Sequence, residues 1–504
     1  MHSAFATPDW VIFGIYFLLV IVSSVWLSRV KVKTSRDYFV SEKSLPMFAV
    51  AISVLATSQS AATFLGAPES SYGNNLTFVG FFFSALLAVV IVAKVLVPRF
   101  YEIGAITVYE LLEKRYSPRA KRDAGMMFLV GRLFASGARL YIGALAVSMI
   151  LFSDIAATHI LFAIIILMSG SLGYAYFGGI KSIIIADIVQ VVIYMGAALF
   201  IIYHLFGALG GDIGVIYSAL EASDKLKIID FSLTGSYNFW ALISGLLLLN
   251  IAAYGLDQDM TQRILTCKDK NEGAKSLIVS ILITIPTAFL FLVIGLLLYL
   301  FYQHPELSGF GNEIDQSFAG EKIAIFMTYI LHELPDGFKA LATIGVVATT
   351  FTSTSSVLGA MSSVAVTDIY KPMFEGKSEK HYLKASRAGV LLSALLLSLM
   401  AILSYYWQRS SDIPLLDFAL GVMVFAYAGL LGVFGAALWT KRGDERSVRY
   451  ALLGGFMTVL FLQPYITETL FDFAINFSAQ IIIGTVVSFG IMMIGKGSGT
   501  IGQK

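Results

Sequence analysis

Residues 53–69 read SVLATSQSAATFLGAPE, a stretch in which polar residues interrupt an apolar segment that starts near residue 46. The stretch is too polar to face lipid, and it carries Gly66 and Pro68 near its end. Polar residues at membrane depth have to face protein or a water-filled cavity, and an interrupted helix frees backbone groups that can bind solutes. The alternative is a polar helix that is buried in a bundle for packing alone. We therefore predict a broken helix at an ion or solute site.

A second stretch has the same pattern. Residues 249–259 read LNIAAYGLDQD and also turn polar at a glycine halfway along an apolar segment. The two stretches belong to the second and the seventh of the predicted helices, so they lie five helices apart. This is the arrangement of two five-helix inverted repeats. We predict repeats over about 46–206 and about 237–440, within one transmembrane domain that spans residues 1–504.

The composition is that of a membrane protein. Hydrophobic residues make up 57% of the sequence and charged residues 13%, and the mean hydropathy is +0.79. Average soluble domains carry roughly 25% charged residues. The single cysteine, Cys267, excludes an internal disulfide. Residues 1–8 hold no Lys or Arg, and the basic cluster follows the first apolar run, so we expect no cleavable signal peptide.

The apolar runs predict an all-α membrane protein with about thirteen transmembrane helices, because each run is close to the roughly 20 residues that span a bilayer. One helix precedes the two repeats and two helices follow them. An amphipathic stretch near 321–334 is predicted to lie at the outer surface, and Pro286 predicts a kink. The predicted helices cover about 9–28, 46–73, 77–99, 122–152, 158–177, 181–206, 237–257, 275–302, 337–369, 385–407, 415–440, 447–466 and 474–495.

The distribution of Lys and Arg predicts the orientation of these helices. With the N-terminus outside, 28 of the 35 Lys and Arg residues fall in cytoplasmic segments and five in outer segments. The remaining two, Arg132 and Arg139, lie inside the membrane. Such sorting follows the positive-inside rule. We predict an integral protein of the plasma membrane, the inner membrane if the source is bacterial, with a cytoplasmic C-terminus.

A stripe of hydroxyl groups marks the ninth predicted helix, where residues 349–356 read TTFTSTSS. Thr349, Thr352, Ser353 and Ser356 stand at i, i+3, i+4 and i+7, so they share one helix face. Several neutral oxygens directed at one point suit a small hard cation. Two alternatives remain open at this stage, namely hydrogen bonds from each hydroxyl to its own helix and hydroxyl contacts that pack helices together.

Four motifs connect the chain with a known family. They are Gly178-Gly179 followed by Ala186-Asp187-Ile188-Val189-Gln190, the run from Tyr254 to Arg263, Thr367-Asp368-Ile369-Tyr370-Lys371, and Ala428-Gly429-Leu430-Leu431-Gly432. With these motifs the chain resembles the sodium:solute symporter family over nearly its whole length. The resemblance implies the LeuT-like five-plus-five inverted repeat. Members of the family transport proline, sugars, sialic acid, iodide and monocarboxylates.

The resemblance implies a sodium site, termed Na2, between the second and ninth helices. Its ligands would be the backbone carbonyls of Ala56, Gln59 and Thr349 and the hydroxyls of Thr352 and Ser353.

A second sodium site occurs in the sialic-acid transporters of the family, and Asp187, Ser355 and Ser356 stand at its matching positions, with Thr352 shared. Helix geometry puts Asp187 about 9 Å into its helix and Ser356 about 20 Å from the cytoplasmic end of its own. The two therefore meet only if the ninth helix extends into the cytoplasm. A solvated aspartate near Lys181 is the alternative, so one or two sodium ions are expected.

The resemblance also implies a solute site. Ser58, Ser60 and Thr63 match a hydroxyl trio that contacts the ligand carboxylate in the sialic-acid transporters. Arg139 can pair bidentately with a carboxylate, although Arg132 competes for that role and either can instead form an internal ion pair.

The seventh predicted helix adds Asn250, Tyr254 and Gln258 to the predicted solute site. Its run over 254–258 looks more like the monocarboxylate, iodide and vitamin branch of the family. Residues 81–83, which read FFF, depart from the sialic-acid pattern because they replace a polar ligand contact.

These features together predict a sodium-coupled symporter that imports a small organic solute by alternating access and is not an enzyme. The solute is expected to be a carboxylate such as sialic acid or a monocarboxylate, with a sugar or an amino acid as the alternative. Its partners are the solute, sodium and the lipid bilayer, without nucleic acid or a required oligomer.

Two other classes of protein were weighed. An intramembrane protease would need two carboxylates that face each other, whereas Asp257 and Asp259 stand at i and i+2 on one helix and diverge. A channel would need symmetric rings or repeated filter loops, which the sequence lacks.

Overall fold

The computed structural model describes residues 4–27, 29, 32–233, 235–309, 317–318, 321–322, 324–409 and 415–497. Within them the chain is helical apart from one short hairpin, formed by β1 (Ser317–Phe318) and β2 (Glu321–Lys322), which pair antiparallel with Ser317 opposite Lys322. Short 3-10 turns cover Ser41–Lys43 and Leu76–Phe78, and a π-helical turn covers Ala365–Tyr370.

The described residues form 22 α-helices, nine of them before residue 223 and thirteen after it. The first nine are α1 (Thr7–Leu27), α2 (Ser35–Val40), α3 (Met47–Ser58), α4 (Ala61–Gly73), α5 (Val79–Glu102), α6 (Glu110–Arg115), α7 (Pro118–Phe152), α8 (Ala157–Ala208) and α9 (Ile213–Ala222). The others are α10 (Phe239–Ile243), α11 (Gly245–Gly255), α12 (Gln258–Ile264), α13 (Lys270–Gln303), α14 (Pro305–Ser308), α15 (Ile325–His332), α16 (Phe338–Val364), α17 (Lys371–Met373), α18 (Glu379–Arg409), α19 (Leu415–Trp439), α20 (Glu445–Phe461), α21 (Pro464–Phe471) and α22 (Phe477–Ile494).

Nine helices in the described part of the chain are long and apolar enough to cross a membrane, or ten if a bent pair counts as one span. The all-α membrane architecture is therefore as predicted. The number of such long helices is smaller than the thirteen predicted, because some predicted helices are broken, some are shorter and two are fused. The predicted helix over 46–73 is two helices, α3 and α4. The helix α20 has 17 residues, fewer than the roughly 20 that usually span a bilayer.

The predicted helices over 158–177 and 181–206 are joined in the 52-residue α8, which changes direction at Gly179. Gly179 has φ 60° and ψ −150°, a conformation that is essentially restricted to glycine. A Cβ atom at this position would also come within 2.3 Å of the carbonyl oxygen of Tyr38. The glycine therefore allows both the turn of α8 and the close approach of α2.

The predicted helix over 46–73 is interrupted, as expected, but the break lies at residues 59–60, while Gly66 and Pro68 stand inside α4. α3 ends at Ser58, and Gln59 and Ser60 are extended, with φ/ψ of −88°/144° and −150°/175°. The second break lies between α11, which ends at Gly255, and α12, which starts at Gln258. There Asp257 caps α12, because its side chain accepts a hydrogen bond from the backbone N–H of Asp259 at 2.9 Å.

The long helices form two groups that pack mainly within themselves. In the first group, α13 packs on α3, α4 and α5, and α11 packs on α5. In the second group, α7, α8, α16 and α18 pack on one another, and α16 lies against α8 over most of its length. Both helix breaks belong to the first group, whereas the hydroxyl stripe belongs to the second. The site is therefore built where the two groups meet.

The segment near 321–334 differs from its prediction as an amphipathic surface stretch; its residue 323 lies outside the described residues. Its helix, α15, is buried on every side from Ile325 to Leu331 and packs on α4 and α13. The backbone N–H of Ile325 donates to Glu69 at 2.6 Å, at the end of α4. Because α15 is apolar around its whole circumference, it packs inside the protein and not along a surface.

Candidate ion and solute site

The hydroxyl stripe of α16 faces the first helix break. The hydroxyl of Thr352 donates to the carbonyl oxygen of Ala56 at 3.3 Å and to that of Thr349 at 3.0 Å. The structure thus brings three of the five predicted Na2 ligands into one group of oxygen atoms. All three residues are no more than 1% exposed. Carbonyl and hydroxyl oxygens held together in a buried place are suitable ligands for a dehydrated sodium ion.

The other two predicted Na2 residues lie on the same two elements. Ser353 donates to the carbonyl of Thr350 at 3.2 Å within its own helix. Gln59 lies in the break itself, and its side-chain amide is buried without a hydrogen-bond partner among the described residues. The hydroxyl of Thr349 bonds to Gly345 and Val346 in its own helix, and the oxygen predicted as a ligand is the backbone carbonyl of Thr349.

A network of buried charges lies beside the stripe. We call it the charge cluster, and its members are Arg132, Asp187, Asp257, Asp259 and Arg263, all at most 3% exposed. The sequence counted Arg263 among the cytoplasmic cations, but the structure buries it completely.

Arg263 occupies one end of the charge cluster. Its guanidinium pairs with Asp187 at 3.2 Å and with Asp259 at 3.1 Å, and it donates to the hydroxyl of Ser53 at 2.8 Å. Arg263 stands four residues after Asp259 on α12, so the two side chains share one helix face. Because helical side chains tilt toward the N-terminus of their helix, the guanidinium of Arg263 lies beside Asp259 in the interior.

The other end of the charge cluster is built around Arg132. Its guanidinium lies 2.9 Å from Asp257 and 3.1 Å from Asp259. The hydroxyl of Tyr427 donates to the second oxygen of Asp257. The two carboxylates therefore share a cation and do not face each other as the dyad of an aspartyl protease does.

The predicted second sodium site differs from the hydrogen bonding observed. Asp187 accepts from Ser53 at 2.5 Å and pairs with Arg263, while Ser356 donates to Asp259 and Ser355 donates to the carbonyl of Thr352. No hydrogen bond between Asp187 and either serine occurs among the described residues. The guanidinium of Arg263 supplies the positive charge that the prediction assigned to sodium. One oxygen of Asp187, Oδ1, is nevertheless buried without a hydrogen-bond partner.

A cavity of about 60 Å³ lies above the first break, between the two helix groups. Its polar lining residues include Ser58, Ser60 and Thr63 together with both intramembrane arginines. Its apolar lining residues are Ala62, Phe78, Phe81, Phe82, Leu249, Ala253, Met260, Leu416, Ala419, Leu420 and Met423. The three hydroxyl residues predicted to bind solute thus lie together at one cavity.

The cavity distinguishes the two arginines that the sequence left as competitors. Arg132 is committed to Asp257 and Asp259, whereas the Nε atom of Arg139 is buried without a hydrogen-bond partner among the described residues. The terminal nitrogen Nη2 of Arg139 lies 3.1 Å from the sulfur of Met423, a weak acceptor. Arg139 is therefore the arginine with hydrogen-bonding capacity left for a carboxylate.

The three residues predicted on the seventh helix do not all reach the cavity. Asn250 and Tyr254 line it, and Oδ1 of Asn250 has no hydrogen-bond partner there. Gln258 lies elsewhere: its amide accepts from the backbone N–H of Val108 at 3.0 Å and donates to the carbonyl of Ile106 at 2.7 Å. Both ends of that amide are satisfied by backbone, so Gln258 has a different role from the one predicted.

Sequence reasoning missed several residues that the structure adds to the site. Ser53 and Tyr427 join the charge cluster, and Phe81 and Phe82 line the cavity where the sequence noted only a lost polar contact. A signal for the charge cluster was present in the sequence, because charged residues inside a membrane almost always pair with one another. Arg132 and Arg139 on the fourth predicted helix and the two aspartates at the second break, Asp257 and Asp259, are charges of opposite sign that could pair in this way.

Comparisons with known proteins agree with the fold. The pattern of the sodium:solute symporter family matches residues 38–463. The sodium/sialic acid symporter NanT of Aliivibrio fischeri is 24% identical over 95% of this chain and 92% of its own length. The sodium-coupled monocarboxylate transporter 1 of Xenopus laevis is 27% identical over 88% of this chain and 73% of its own. The solved structure of a Na⁺-coupled sialic acid symporter in a substrate-bound outward-open state superimposes with a TM-score of 0.81, at 22% identity, over 97% of both chains.

Proposed function

Because this chain belongs to the sodium:solute symporter family, we propose that it couples the entry of sodium to the uptake of a small organic solute that carries a carboxylate. Uptake proceeds by alternating access, in which the site between the two helix groups opens to one side of the membrane at a time. The chain is an integral membrane protein, and the orientation we propose has thirteen crossings, the N-terminus outside and the C-terminus in the cytoplasm. The charge distribution of the loops supports this orientation.

The observation that carries the sodium assignment is the contact between the first break and the stripe. Carbonyl oxygens of Ala56 and Thr349 and the hydroxyl of Thr352 already meet within hydrogen-bonding distance, although no carboxylate lies among them. A neutral set of oxygen ligands suits a monovalent hard cation better than a divalent one. Gln59 and Ser353 complete the proposed Na2 site with a carbonyl and a hydroxyl.

A second sodium is proposed at Asp187, with Ser355 and Ser356 as ligands after a local rearrangement. The charge cluster supports this, because its three carboxylates and two guanidiniums leave one net negative charge in a buried place. Each sodium that enters down 100 mV supplies about 2.3 kcal/mol. A monovalent anionic solute cancels one of these charges, so a second ion restores the electrical driving force.

The solute is proposed to bind with its carboxylate at Arg139 and the hydroxyls of Ser58, Ser60 and Thr63. The free oxygen of Asn250 would accept a hydrogen bond from a donor group elsewhere on the solute. The apolar lining, which includes Phe81 and Phe82, favours a non-polar body between these two groups.

A sugar is the second candidate, because the sodium/glucose cotransporter of Vibrio parahaemolyticus is 24% identical over 96% of this chain. A sugar would leave Arg139 without an anionic partner inside the membrane, which is why the carboxylate is preferred. Uptake of labelled pyruvate, sialic acid and glucose into proteoliposomes, each with and without a sodium gradient, tests the proposal. Sodium-independent accumulation of every accepted solute would contradict sodium coupling, and sodium-driven uptake of glucose alone would contradict the carboxylate.

A further inference from the structure

Gln258, which does not reach the cavity, is part of a compact set of contacts beneath the second helix break. It holds the loop 105–109, which connects α5 with α6. The amide of Gln258 pairs with the backbone of this loop through Ile106 and Val108, in the manner of a short strand pair. The hydroxyl of Tyr109 donates to the carbonyl of Leu256, a residue of the break itself, at 3.0 Å. The loop is thereby fastened to the first helix group.

The same assembly also contacts the second helix group. The ring of Tyr109 packs against that of Phe128 on α7 with the centroids 5.7 Å apart, the amide of Gln258 donates to the hydroxyl of Ser363 on α16 at 3.4 Å, and Thr107 forms the shorter hydrogen bond to this group. The hydroxyl of Thr107 donates to Oδ1 of Asp368 at 2.7 Å, and both residues are at most 1% exposed. Asp368 lies in the π-helical turn that continues α16 below the stripe. π-Helical turns are often found at functional sites.

Asp368 is otherwise poorly compensated. Its second oxygen, Oδ2, is buried without a hydrogen-bond partner among the described residues. The neighbouring cation, Lys121, pairs with Glu113 at 2.5 Å. A buried carboxylate that accepts only one hydrogen bond is stabilised less by its surroundings than it would be by water, which can bind its remaining lone pairs. The contact with Thr107 is therefore one that hydration can replace.

We propose that the loop 105–109 is a latch on the cytoplasmic side, fastened by Gln258 to the second break and by Thr107 to Asp368, and that it must release α16 before the site can open inward. The proposal rests on the transport function and orientation proposed above. The proposed latch gives the buried side chain of Gln258 a role. Gln258 directly follows Asp257, the aspartate that caps α12, yet its amide is bonded to the loop 105–109. The elements on either side of the latch belong to different helix groups, so movement between the groups has to break the contact of Thr107.

The test measures access from the cytoplasm and does not depend on transport. Cys267, the single cysteine, is changed to Ala, and Thr261→Cys places a reporter on α12, one turn beyond Gln258. The hydroxyl of Thr261 is buried without a hydrogen-bond partner, so the change removes no bond. Inside-out membrane vesicles are then treated with a membrane-impermeant methanethiosulfonate, and the rate of labelling is followed.

Thr107→Val should raise the labelling rate of the reporter about tenfold, because it removes a hydrogen bond to a buried carboxylate. Thr107→Ser keeps the hydroxyl and should label like the parent. Thr458→Val is the matched control, since the hydroxyl of Thr458 donates to the carbonyl of Gly454 within its own helix, α20. Equal rates in Thr107→Val and Thr458→Val would overturn the latch.

A folding control separates release of the latch from general loosening. In a chain that keeps Cys267, which is fully buried, Thr107→Val should leave that thiol unlabelled. If it becomes labelled, Gln258→Glu replaces Thr107→Val in the comparison, because a carboxylate still accepts from Val108 but cannot donate to Ile106. A reporter rate unchanged by Gln258→Glu would then reject the proposal. Absence of sodium-dependent uptake with a positive labelling result would refute the transport function and leave the latch in place.

Discussion

The two helix breaks occupy equivalent places in the proposed repeats and differ in their chemistry. The first, at Gln59 and Ser60, is neutral, and the amide of Gln59 has no hydrogen-bond partner among the described residues. The second, at Leu256 and Asp257, is charged, and its carboxylate is bound by Arg132 and Tyr427. An interrupted helix is thus compatible with two uses. One break leaves groups available for ions and solute, and the other fixes the position of neighbouring helices.

The largest effect is expected at the second break. Arg132→Met removes the cation that Asp257 and Asp259 share and leaves two buried carboxylates without it. Breaking a buried ion pair in this way costs about 3–5 kcal/mol, so we expect little folded protein. Monodispersity on size-exclusion chromatography and the unfolding temperature in detergent measure this. The triple change Arg132→Met, Asp257→Asn and Asp259→Asn removes the charges together and should recover part of the loss; no recovery would mean that packing, not charge, fixes the break.

The next effect concerns the sodium ligands opposite the first break. Thr352→Ala removes a proposed ligand and should raise the sodium concentration for half-maximal uptake about tenfold. Thr350→Ala is the matched control, because the hydroxyl of Thr350 bonds to Val346 and lies toward Gly143 of α7, away from the break. Sodium-dependent uptake in proteoliposomes compares the two. An equal increase in the sodium concentration for half-maximal uptake in both variants would mean that the hydroxyls of the stripe only pack helices together.

Arg139 tests whether the first break serves a carboxylate. Arg139→Met keeps the length of the side chain and removes the charge, so the KM for an anionic solute should rise about tenfold through the loss of a charge-assisted hydrogen bond. The sodium dependence should stay as in the parent, since Arg139 is not a proposed sodium ligand. Met423→Leu is the control for packing against Arg139. An unchanged KM in Arg139→Met would mean that the solute carboxylate does not bind at Arg139.

A smaller, qualitative effect is expected at Asp187. Asp187→Asn keeps the shape and the hydrogen bond from Ser53 but removes the charge, so the Hill coefficient for sodium should fall from above one toward one. Ser356→Ala should change it less, because Ser356 donates to Asp259 in the structure. A ratio of one sodium per solute in the unmodified protein, measured from tracer fluxes, would rule out the second site.

The smallest effect is expected from Gln59→Leu. Only the carbonyl of Gln59 is a proposed sodium ligand, and its side-chain amide loses no hydrogen bond on removal. We therefore expect an unfolding temperature and a sodium affinity close to those of the parent, with a slight stabilisation because an unpaired buried amide is removed. A large loss of sodium affinity would bring the amide itself into the site.

The sequence was sufficient to predict both breaks and the face of the stripe. Polar residues inside an apolar segment have to face protein or a water-filled cavity in a bilayer. The polar residues within 53–69 therefore predict a broken helix, and the structure contains the break. The periodicity of the stripe predicted that Thr352 shares one helix face with its neighbours, and the resemblance to the symporter family implied the contact of that face with the first break, where Thr352 donates to Ala56.

Contacts between distant segments could not be predicted in this way. Arg263 follows an apolar segment and was counted as a loop cation, but the short helix α12 returns it to the interior. Periodicity places Ser356 on a face without naming the carboxylate that it meets, which is Asp259 and not Asp187. Gln258 lies next to site residues in sequence, yet its amide points to the loop 105–109.

The charge cluster also constrains how the protein is made. Taken with Arg139, this cluster draws two arginines and one aspartate from α7 and α8 and two aspartates and one arginine from the second break and α12. Each of these two subsets alone therefore carries one unbalanced charge, of opposite sign. Because α7 and α8 are synthesised well before α12, their charges have to remain near water until Asp257, Asp259 and Arg263 arrive. Final burial of the charges on α7 and α8 thus depends on synthesis of α12.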